Sequence, residues 1–223
     1  MKLMNKSLTF ILSITFLFLV GCSGNGEEPE VKKEFYDNGK LLSEFHIKNG
    51  KEEGLGTWWY ESGRKKYKTH YKNGKQEGLT TEWYESGEKK YEVLWKNGKQ
   101  EGLGTGWYKS GKKKDEVPWK NGKQEGLETG WYESGKKEFE THWKEGNPEG
   151  LETYWYESGL KRHETRWKKW LQEGLETKWY ENRGKQHEKT WKNGKQDGIR
   201  KEWDEDGKLT FQGNFVDGIE EIK

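Results

Sequence analysis

The sequence predicts an all-β protein whose single-layer antiparallel sheet grows as a meander, or solenoid, of 24-residue units with two strands each. The first observation is a fixed spacing of tyrosines, which makes almost the whole chain one copied unit. The second is an alternation of aromatic or β-branched residues with polar ones in two short runs of every unit. The tyrosines are Tyr36, Tyr60, Tyr84, Tyr108, Tyr132, Tyr156 and Tyr180, and Asp204 holds the next place.

The two alternating runs predict the two strands of each unit. Counted from the tyrosine as position 1, positions 8, 10 and 12 hold residues such as Tyr91, Val93 and Trp95. Positions 20 and 24 hold residues such as Leu127 and Trp131. Residues at every second place lie on one face of a strand. We therefore expect one aromatic face with positions 8, 10, 12, 20, 22 and 24, and one polar face with the places between them.

Glycine marks the connections between the strands. The Glu-Ser-Gly triplet at residues 61–63 predicts a short turn, and the Asn-Gly pair at residues 73–74 predicts a tight hairpin because both residues tolerate positive φ. A third glycine, Gly78, precedes the second strand and indicates a bulge or a turn. Pro118 has no N–H to donate, so we expect it at a bulge or an edge.

The chain is expected to have three parts. Residues 1–21 predict a cleaved signal peptide, residues 22–35 a flexible tether, and residues 36–223 the repeat domain. The repeat units are 36–59, 60–83, 84–107, 108–131, 132–155, 156–179 and 180–203, followed by a partial unit, 204–223.

The signal peptide is predicted from its charge and its length. Lys2 and Lys6 precede a mostly apolar run over residues 8–20, which is too short to span a bilayer. The run ends in Leu-Val-Gly-Cys, which resembles the lipobox of bacterial lipoproteins. That resemblance implies a lipid on Cys22, a lipid bilayer as a partner and a place in the bacterial cell envelope. Ser23 follows the cysteine, which implies the outer membrane where the organism has one.

The composition argues against several functions. The chain has 41 Lys and Arg residues against 39 Asp and Glu residues, and loss of the signal peptide removes two of the lysines. A mature chain of balanced charge does not predict nucleic-acid binding, which uses a net cationic surface. Cys22 is the single cysteine, so neither an internal disulfide nor a cysteine-based zinc site is expected.

The repeated unit resembles a known family. Glu92-x-x-Trp95 followed by Lys-Asn-Gly-Lys-Gln-Glu-Gly-Leu, together with Trp-Tyr-Glu-Ser-Gly at residues 83–87, is similar to the bacterial variant of the MORN repeat, over residues 36–223. The resemblance implies a twisted single-layer sheet of hairpins without catalytic residues. It also implies scaffolding and contact with membranes or proteins. Some bacterial members are labelled antitoxins, so an antitoxin or immunity protein is the alternative to a non-enzymatic scaffold that binds a protein or envelope component.

No catalytic, cofactor-binding or metal-binding set stands out, so we expect neither an enzyme nor a cofactor. His46, His70 and His142 occupy position 11, and His163 and His187 occupy position 8, on the opposite face. Units about 9.6 Å apart do not predict a shared metal site for these side chains. The glutamates of position 9 are expected to pair with lysines across strands; they are Glu92, Glu116, Glu140, Glu164 and Glu188.

Position 13 is lysine in all seven full units, which predicts a cationic row along one rim. The row could meet anionic head groups or an acidic partner. Alternatively, glutamates at position 18 could neutralise it. The lysines are Lys48, Lys72, Lys96, Lys120, Lys144, Lys168 and Lys192, and the glutamates are Glu53, Glu77, Glu101, Glu125, Glu149 and Glu173.

The predicted aromatic face is the first candidate for a contact surface, with Trp95, Trp119, Trp143 and Trp167 as candidate binding residues. A continuous apolar stripe usually marks such a surface. The alternative is that neighbouring side chains cover one another and the stripe is the core.

Trp170 and Leu171 are the remaining candidate binding residues. Residues 168–171 read Lys-Lys-Trp-Leu where other units read Lys-Asn-Gly-Lys. An apolar pair that replaces turn residues can mark a contact point. The alternative is drift at one turn of a redundant array.

Overall fold

The computed structural model describes residues 28–222, so the predicted signal peptide and Cys22 lie outside the described part. The described residues form one antiparallel sheet of 21 strands, in which each eight-residue strand pairs with the segments that precede and follow it in the chain. Within this range the structure has no helix of the length and hydrophobicity that a membrane span requires. The predicted all-β, single-layer meander of two-strand units is confirmed.

Three kinds of strand follow one another along the chain. Strands over positions 6–13 are β2 (Leu41–Lys48), β5 (Lys65–Lys72), β8 (Lys89–Lys96), β10 (Lys113–Lys120), β13 (Lys137–Lys144), β15 (Lys161–Lys168), β18 (Lys185–Lys192) and β20 (Leu209–Val216). Strands over positions 19–24 are β1 (Glu30–Phe35), β4 (Gly54–Trp59), β7 (Gly78–Trp83), β12 (Gly126–Trp131) and β17 (Gly174–Trp179). Two-residue strands at positions 16–17 are β3 (Lys51–Glu52), β6 (Lys75–Gln76), β11 (Lys123–Gln124), β16 (Leu171–Gln172) and β21 (Ile219–Glu220). The last two kinds are joined in β9 (Lys99–Trp107), β14 (Asn147–Trp155) and β19 (Lys195–Trp203).

A one-residue bulge sets the register between the second strand of one unit and the first strand of the next. Between β7 and β8, Trp83 lies opposite Lys89. The next pair is Glu82 and Tyr91, so β8 carries one extra residue between the two pairs. The same irregularity recurs in the equivalent ladders. Because side chains alternate, one extra residue moves all later residues of the strand to the other face.

The predicted grouping of both runs on one face is wrong, because the two-residue turn within each unit pairs position 12 with position 17 and position 8 with position 23. The bulge keeps the same faces in register from one unit to the next. Positions 8, 10 and 12 share a face with positions 21 and 23, which we name face 1. Positions 20, 22 and 24 lie with positions 9 and 11 on the opposite side, which we name face 2. The leucines of position 20 are consequently exposed on face 2, where Leu175 has 55% of its surface exposed.

Small side chains at the centre of both faces form the core. Thr69 and Val93 at position 10 are buried on face 1, and Thr81 and Thr177 at position 22 are buried on face 2. Longer side chains at the surrounding positions cover them, as the lysine and glutamate stems can. A single layer of sheet thus buries its own centre on both sides.

Residues 30–35 differ from the prediction of a flexible tether. They form β1, in which Glu30 lies opposite Ile47 and Phe35 lies opposite Leu41. Phe35 takes the place that tryptophan has at position 24 of later units. Charged residues at neighbouring positions conceal the alternation of apolar residues that would have predicted this strand.

Pro118 lies in β10 where the ladder to the next strands is interrupted. The pairs of β10 with β12 end at Glu116, and those with β11 begin at Trp119. The Pro118 carbonyl accepts the N–H of Glu125 at 2.9 Å. The predicted position at a bulge is confirmed, since the missing N–H faces the irregular segment.

Two series of hydrogen bonds, one along each edge of the sheet, connect successive turns. On the tyrosine edge, each position-1 hydroxyl from Tyr36 to Tyr180 donates to the position-24 carbonyl 23 residues later. On the asparagine edge, each position-18 carboxylate accepts the backbone N–H of position 14 in the next unit, as Glu77 does from Asn97 at 2.7 Å. These carboxylates therefore bind the next turn, whereas the sequence suggested that they neutralise the lysine row.

Candidate functional site

The predicted tryptophans of position 12 form a regular row on face 1. Trp95, Trp119, Trp143 and Trp167 are all partly buried and follow one another one unit apart. Trp191 continues the row, although the sequence analysis did not single it out. Strands lie about 4.8 Å apart and each unit adds two, so neighbouring members of the row are about 9.6 Å apart. We call this set the tryptophan row.

A carboxylate at position 21 of the preceding unit holds three of these indoles. Each indole N–H donates to a glutamate on the neighbouring strand of the same face. The bonds are Trp143 Nε1 to Glu128 at 2.6 Å, Trp167 Nε1 to Glu152 at 2.8 Å, and Trp191 Nε1 to Glu176 at 2.6 Å. Hydrogen bonds to a charged acceptor are stronger than neutral ones, so they restrict the rotation of these side chains.

The first two members of the row lack this carboxylate. Position 21 is Gly104 before Trp119, whose Nε1 donates to the Tyr91 hydroxyl at 3.2 Å. Position 21 is Thr80 before Trp95, and its hydroxyl bonds to another threonine. Within residues 28–222, the buried Trp95 Nε1 has no hydrogen-bond partner. A buried N–H without a partner costs about 1–3 kcal/mol.

The middle of face 1 is acidic. Burial raises the pKa of Asp115, and it also raises the pKa of Glu128, where the charges of Asp115 and Glu152 add to the effect. Among residues 28–222, no ion pair includes any of these three carboxylates. A basic ligand would therefore meet carboxylates whose charge is not already neutralised.

A shallow depression of about 470 Å³ follows this acidic region along face 1. Its lining residues are Glu152, Tyr154, Arg162, His163, Glu176 and Lys178. The Tyr154 hydroxyl donates to Glu152 at 3.1 Å, and burial, with the Glu152 charge, raises the pKa of Tyr154 to about 12. The Tyr154 ring stacks on His163 at 5.9 Å between centroids and lies under the Arg162 guanidinium. This region therefore has mixed charge and a covered aromatic ring.

His163 and His187 converge on Glu176, which the sequence analysis missed. Their Nε2 atoms lie 3.2 and 3.0 Å from the same Glu176 oxygen, since both rings lean over β17 from the strands beside it. Glu176 is only 7% exposed. Burial by itself raises its pKa, but the hydrogen bonds from His163, His187 and Trp191 outweigh burial and hold the pKa of Glu176 well below its usual range. Among residues 28–222, no group of three or more His, Cys, Asp and Glu side chains is arranged to hold a metal ion.

Trp170 and Leu171 lie apart from the tryptophan row, on a turn at the asparagine edge. Leu171 packs against Gly194 of the next turn, just as the stem of Lys75 packs against Gly98. Its apolar side chain therefore keeps a contact that the other units make. Trp170 has φ 63° and is 61% exposed, at a place where Gly98 has φ 75°. Packing explains Leu171, whereas Trp170 combines an unfavourable backbone conformation with exposure.

On face 2, acidic and basic side chains pair with one another. The glutamates of position 9 pair with the lysine three residues earlier in the same strand, as Glu92 does with Lys89 at 2.8 Å. The predicted partners across strands are therefore wrong for these pairs, because the bulge brings positions 6 and 9 to one face. Lysines of position 6 also cover the position-24 tryptophans, with Lys113 Nζ 5.3 Å from the Trp131 ring centroid.

Comparison with known proteins agrees with this architecture. No curated protein is detectably similar to the chain. The MORN repeat variant model matches residues 31–49, 52–73, 76–97, 100–121, 124–145 and 196–217, which together make up more than half of the chain. Residues 146–195 fall outside these matches, although the strands there keep the same pairing. The chain belongs to the MORN repeat variant family.

Proposed function

We propose that this protein is a non-enzymatic, membrane-anchored repeat scaffold that binds a protein or another envelope component along face 1. The tryptophan row is the observation that carries the proposal. Its indoles are partly exposed and recur once per unit, and Trp119, Trp143, Trp167 and Trp191 donate hydrogen bonds to face 1. Rigid aromatic side chains lose little entropy on binding and dominate many interfaces.

Face 1 is a better contact surface than face 2. On face 2 the lysines of position 6 already pair with glutamates and cover aromatic rings, as Lys113 does for Glu116 and Trp131. A partner would have to displace these contacts. On face 1 the acidic groups Asp115 and Glu128 have no such cationic partner among residues 28–222.

The anchor in this proposal is a lipid on Cys22. It is supported by the lipobox-like end of the apolar run at residues 19–22. Cells labelled with radioactive palmitate should incorporate label into the protein, and Cys22→Ala should abolish incorporation and release the protein from membranes. Equal labelling of the two forms would reject the anchor without affecting the fold.

The binding face is tested by capture from envelope extract. The triple change of Trp95, Trp119 and Trp143 to Ala should remove specific partners. The matched triple change of Trp107, Trp131 and Trp155 alters the same residue type on face 2 and should retain them. Unchanged partners after the face 1 changes would reject this role for the row. Recovery of a toxin whose activity the protein neutralises would instead support the antitoxin or immunity alternative.

A further inference from the structure

The spacing of the tryptophan row restricts the shape of its ligand. The backbone positions that carry neighbouring indoles are about 9.6 Å apart, because each unit adds two strands. An extended β-strand places side chains of one face about 6.6 Å apart, which does not match. An α-helix repeats every 5.4 Å, which does not match either. A polyproline II helix has three residues per turn and a rise of about 3.1 Å, so its side chains recur every 9.3 Å or so along one face.

The match with polyproline II holds over several units. The difference of about 0.3 Å per turn accumulates to only about 0.6 Å between Trp119 and Trp167, two units apart. This is small against the width of an indole ring. Aromatic-lined grooves are also the surfaces that recognise proline-rich segments in other domains.

Three glycines of face 1 near Trp119 and Trp143 lie under neighbouring side chains. Gly104, Gly106 and Gly130 occupy places where a Cβ would collide with a neighbouring side chain. The colliding atoms would be the Tyr91 hydroxyl at 2.2 Å, Asp115 Oδ1 at 2.5 Å and Phe139 Cε1 at 2.1 Å, respectively. These side chains thus fill the space above the glycines and lie close against the backbone, next to the indoles.

The charge of the same region indicates which residues the ligand carries. Asp115, Glu128 and Glu152 lie on face 1 and have no ion-pair partner among the described residues. Burial raises the pKa of Asp115 and of Glu128, and it outweighs the Lys114 charge near Asp115 and the Trp143 hydrogen bond to Glu128, which lower these pKa values. Lysine or arginine on a ligand would supply the missing cation.

We infer that face 1 from Trp119 to Trp167 binds a basic, proline-rich protein segment in the polyproline II conformation, with one turn per repeat unit. This inference rests on the proposed function and names the chemistry of its partner. Proline rings pack between successive indoles, and basic side chains reach the carboxylates. The ligand pays little conformational entropy, because proline already favours this helix.

The inference is tested by titrating the full chain in detergent with two synthetic peptides. One is a Pro-Pro-Lys repeat, and the other is a Gly-Ser-Lys repeat of equal length and charge, which lacks the preference for polyproline II. Calorimetry and tryptophan fluorescence should show binding of the first peptide and at least about tenfold weaker binding of the second. Trp143→Ala should weaken binding about tenfold or more, and Trp131→Ala, on face 2, should leave it unchanged.

The role of the carboxylates in binding is tested with a variant that removes a charge without changing the packing. Glu128→Gln keeps an acceptor for the Trp143 N–H and removes the charge. It should weaken binding and reduce the salt dependence of the affinity, since one screened charge pair is lost. Equal affinity for the two peptides, or equal loss in Trp143→Ala and Trp131→Ala, would overturn the inference. If the face 1 triple variant loses its envelope partner but neither peptide binds, the inference fails and the proposed scaffold role stands.

Discussion

The Tyr84 hydroxyl donates a hydrogen bond of 2.8 Å to the backbone carbonyl of Trp107. The tyrosine that begins one unit is thereby fixed to the last residue of that unit's second strand, at the start of the next turn. Seven equivalent bonds run along the tyrosine edge. The 24-residue spacing of tyrosines thus has a direct structural role, which is to connect successive turns.

Removal of one of these hydroxyls should loosen the array locally. Tyr108→Phe deletes the 2.7 Å bond to the Trp131 carbonyl and should cost about 0.5–1.5 kcal/mol. Each repeat contacts only its neighbours, so faster amide hydrogen exchange should be confined to the two adjoining units. Unchanged exchange at these units, or a uniform increase along the chain, would contradict a local connection.

Removing the charge of Glu176 should lower the stability of the protein, whereas removing the charge of Glu128 should not. Both residues occupy position 21 and accept an indole N–H. The pKa of Glu176 is lowered, so its contribution to stability is present above the unfolded value of about 4.3 and is lost as pH falls below it. The pKa of Glu128 is raised, so its charged form disfavours the fold at neutral pH.

Urea denaturation at pH 7 tests this pair of shifts. Glu176→Gln should destabilise the protein and remove part of the acid sensitivity below about pH 4.3. Glu128→Gln should be neutral or stabilise by up to about 1 kcal/mol, because the amide oxygen still accepts from Trp143. Destabilisation of equal size in both variants would show that the hydrogen bond alone, and not the charge environment, decides the effect.

Trp95 offers a stabilising change that follows from the comparison of units. Thr80→Gln in a Thr69→Val background, in which the hydroxyl that bonds to Thr80 is already absent, places an acceptor where Glu152 serves Trp167. It should stabilise that background by about 1 kcal/mol by satisfying the Trp95 N–H. The converse change, Glu152→Thr, should destabilise the protein. Thermal unfolding measures both changes, and a loss of stability in Thr80→Gln would show that the buried site has no room for the longer chain.

Trp170→Gly should raise stability, although it removes a large side chain. It restores the residue that other units have at this positive φ, and relief of the strained backbone is worth about 1 kcal/mol. Arg183→Gly is the matched control, since Arg183 has φ 74° where other units have glycine. If thermal unfolding shows lower stability for Trp170→Gly and higher stability for Arg183→Gly, Trp170 has a packing role in the fold.

The two long strands of each unit were predictable, but β1, the two-residue strands at positions 16–17 and the assignment of the two faces were not. Tyr91, Val93 and Trp95 alternate with polar residues, and they lie on one face of β8 as predicted. The position of Leu79 relative to them depends on the ladder register. The extra residue, Lys90, changes that register. The sequence does not reveal the bulge, because a lysine can occupy a bulged or a paired position equally well.

The convergence of His163 and His187 on Glu176 depends on the same register. The three residues occupy positions 8, 8 and 21. The hairpin register within the unit places His163 on the face of Glu176, and the bulge places His187 on that face. The signal in the sequence is a histidine at position 8 of two successive units with a glutamate between them. This signal predicts the cluster only when the pairing register of the strands is known, because alternation alone places position 21 on the face opposite position 8.

Oxidative footprinting of the protein in envelope extract shows directly whether face 1 is the contact surface. We expect partners to protect Trp119, Trp143 and Trp167 from oxidation, relative to the isolated protein. Oxidation of Trp107, Trp131 and Trp155, which lie on face 2, should not change. Protection of the face 2 tryptophans with unchanged oxidation of the tryptophan row would contradict the role of face 1.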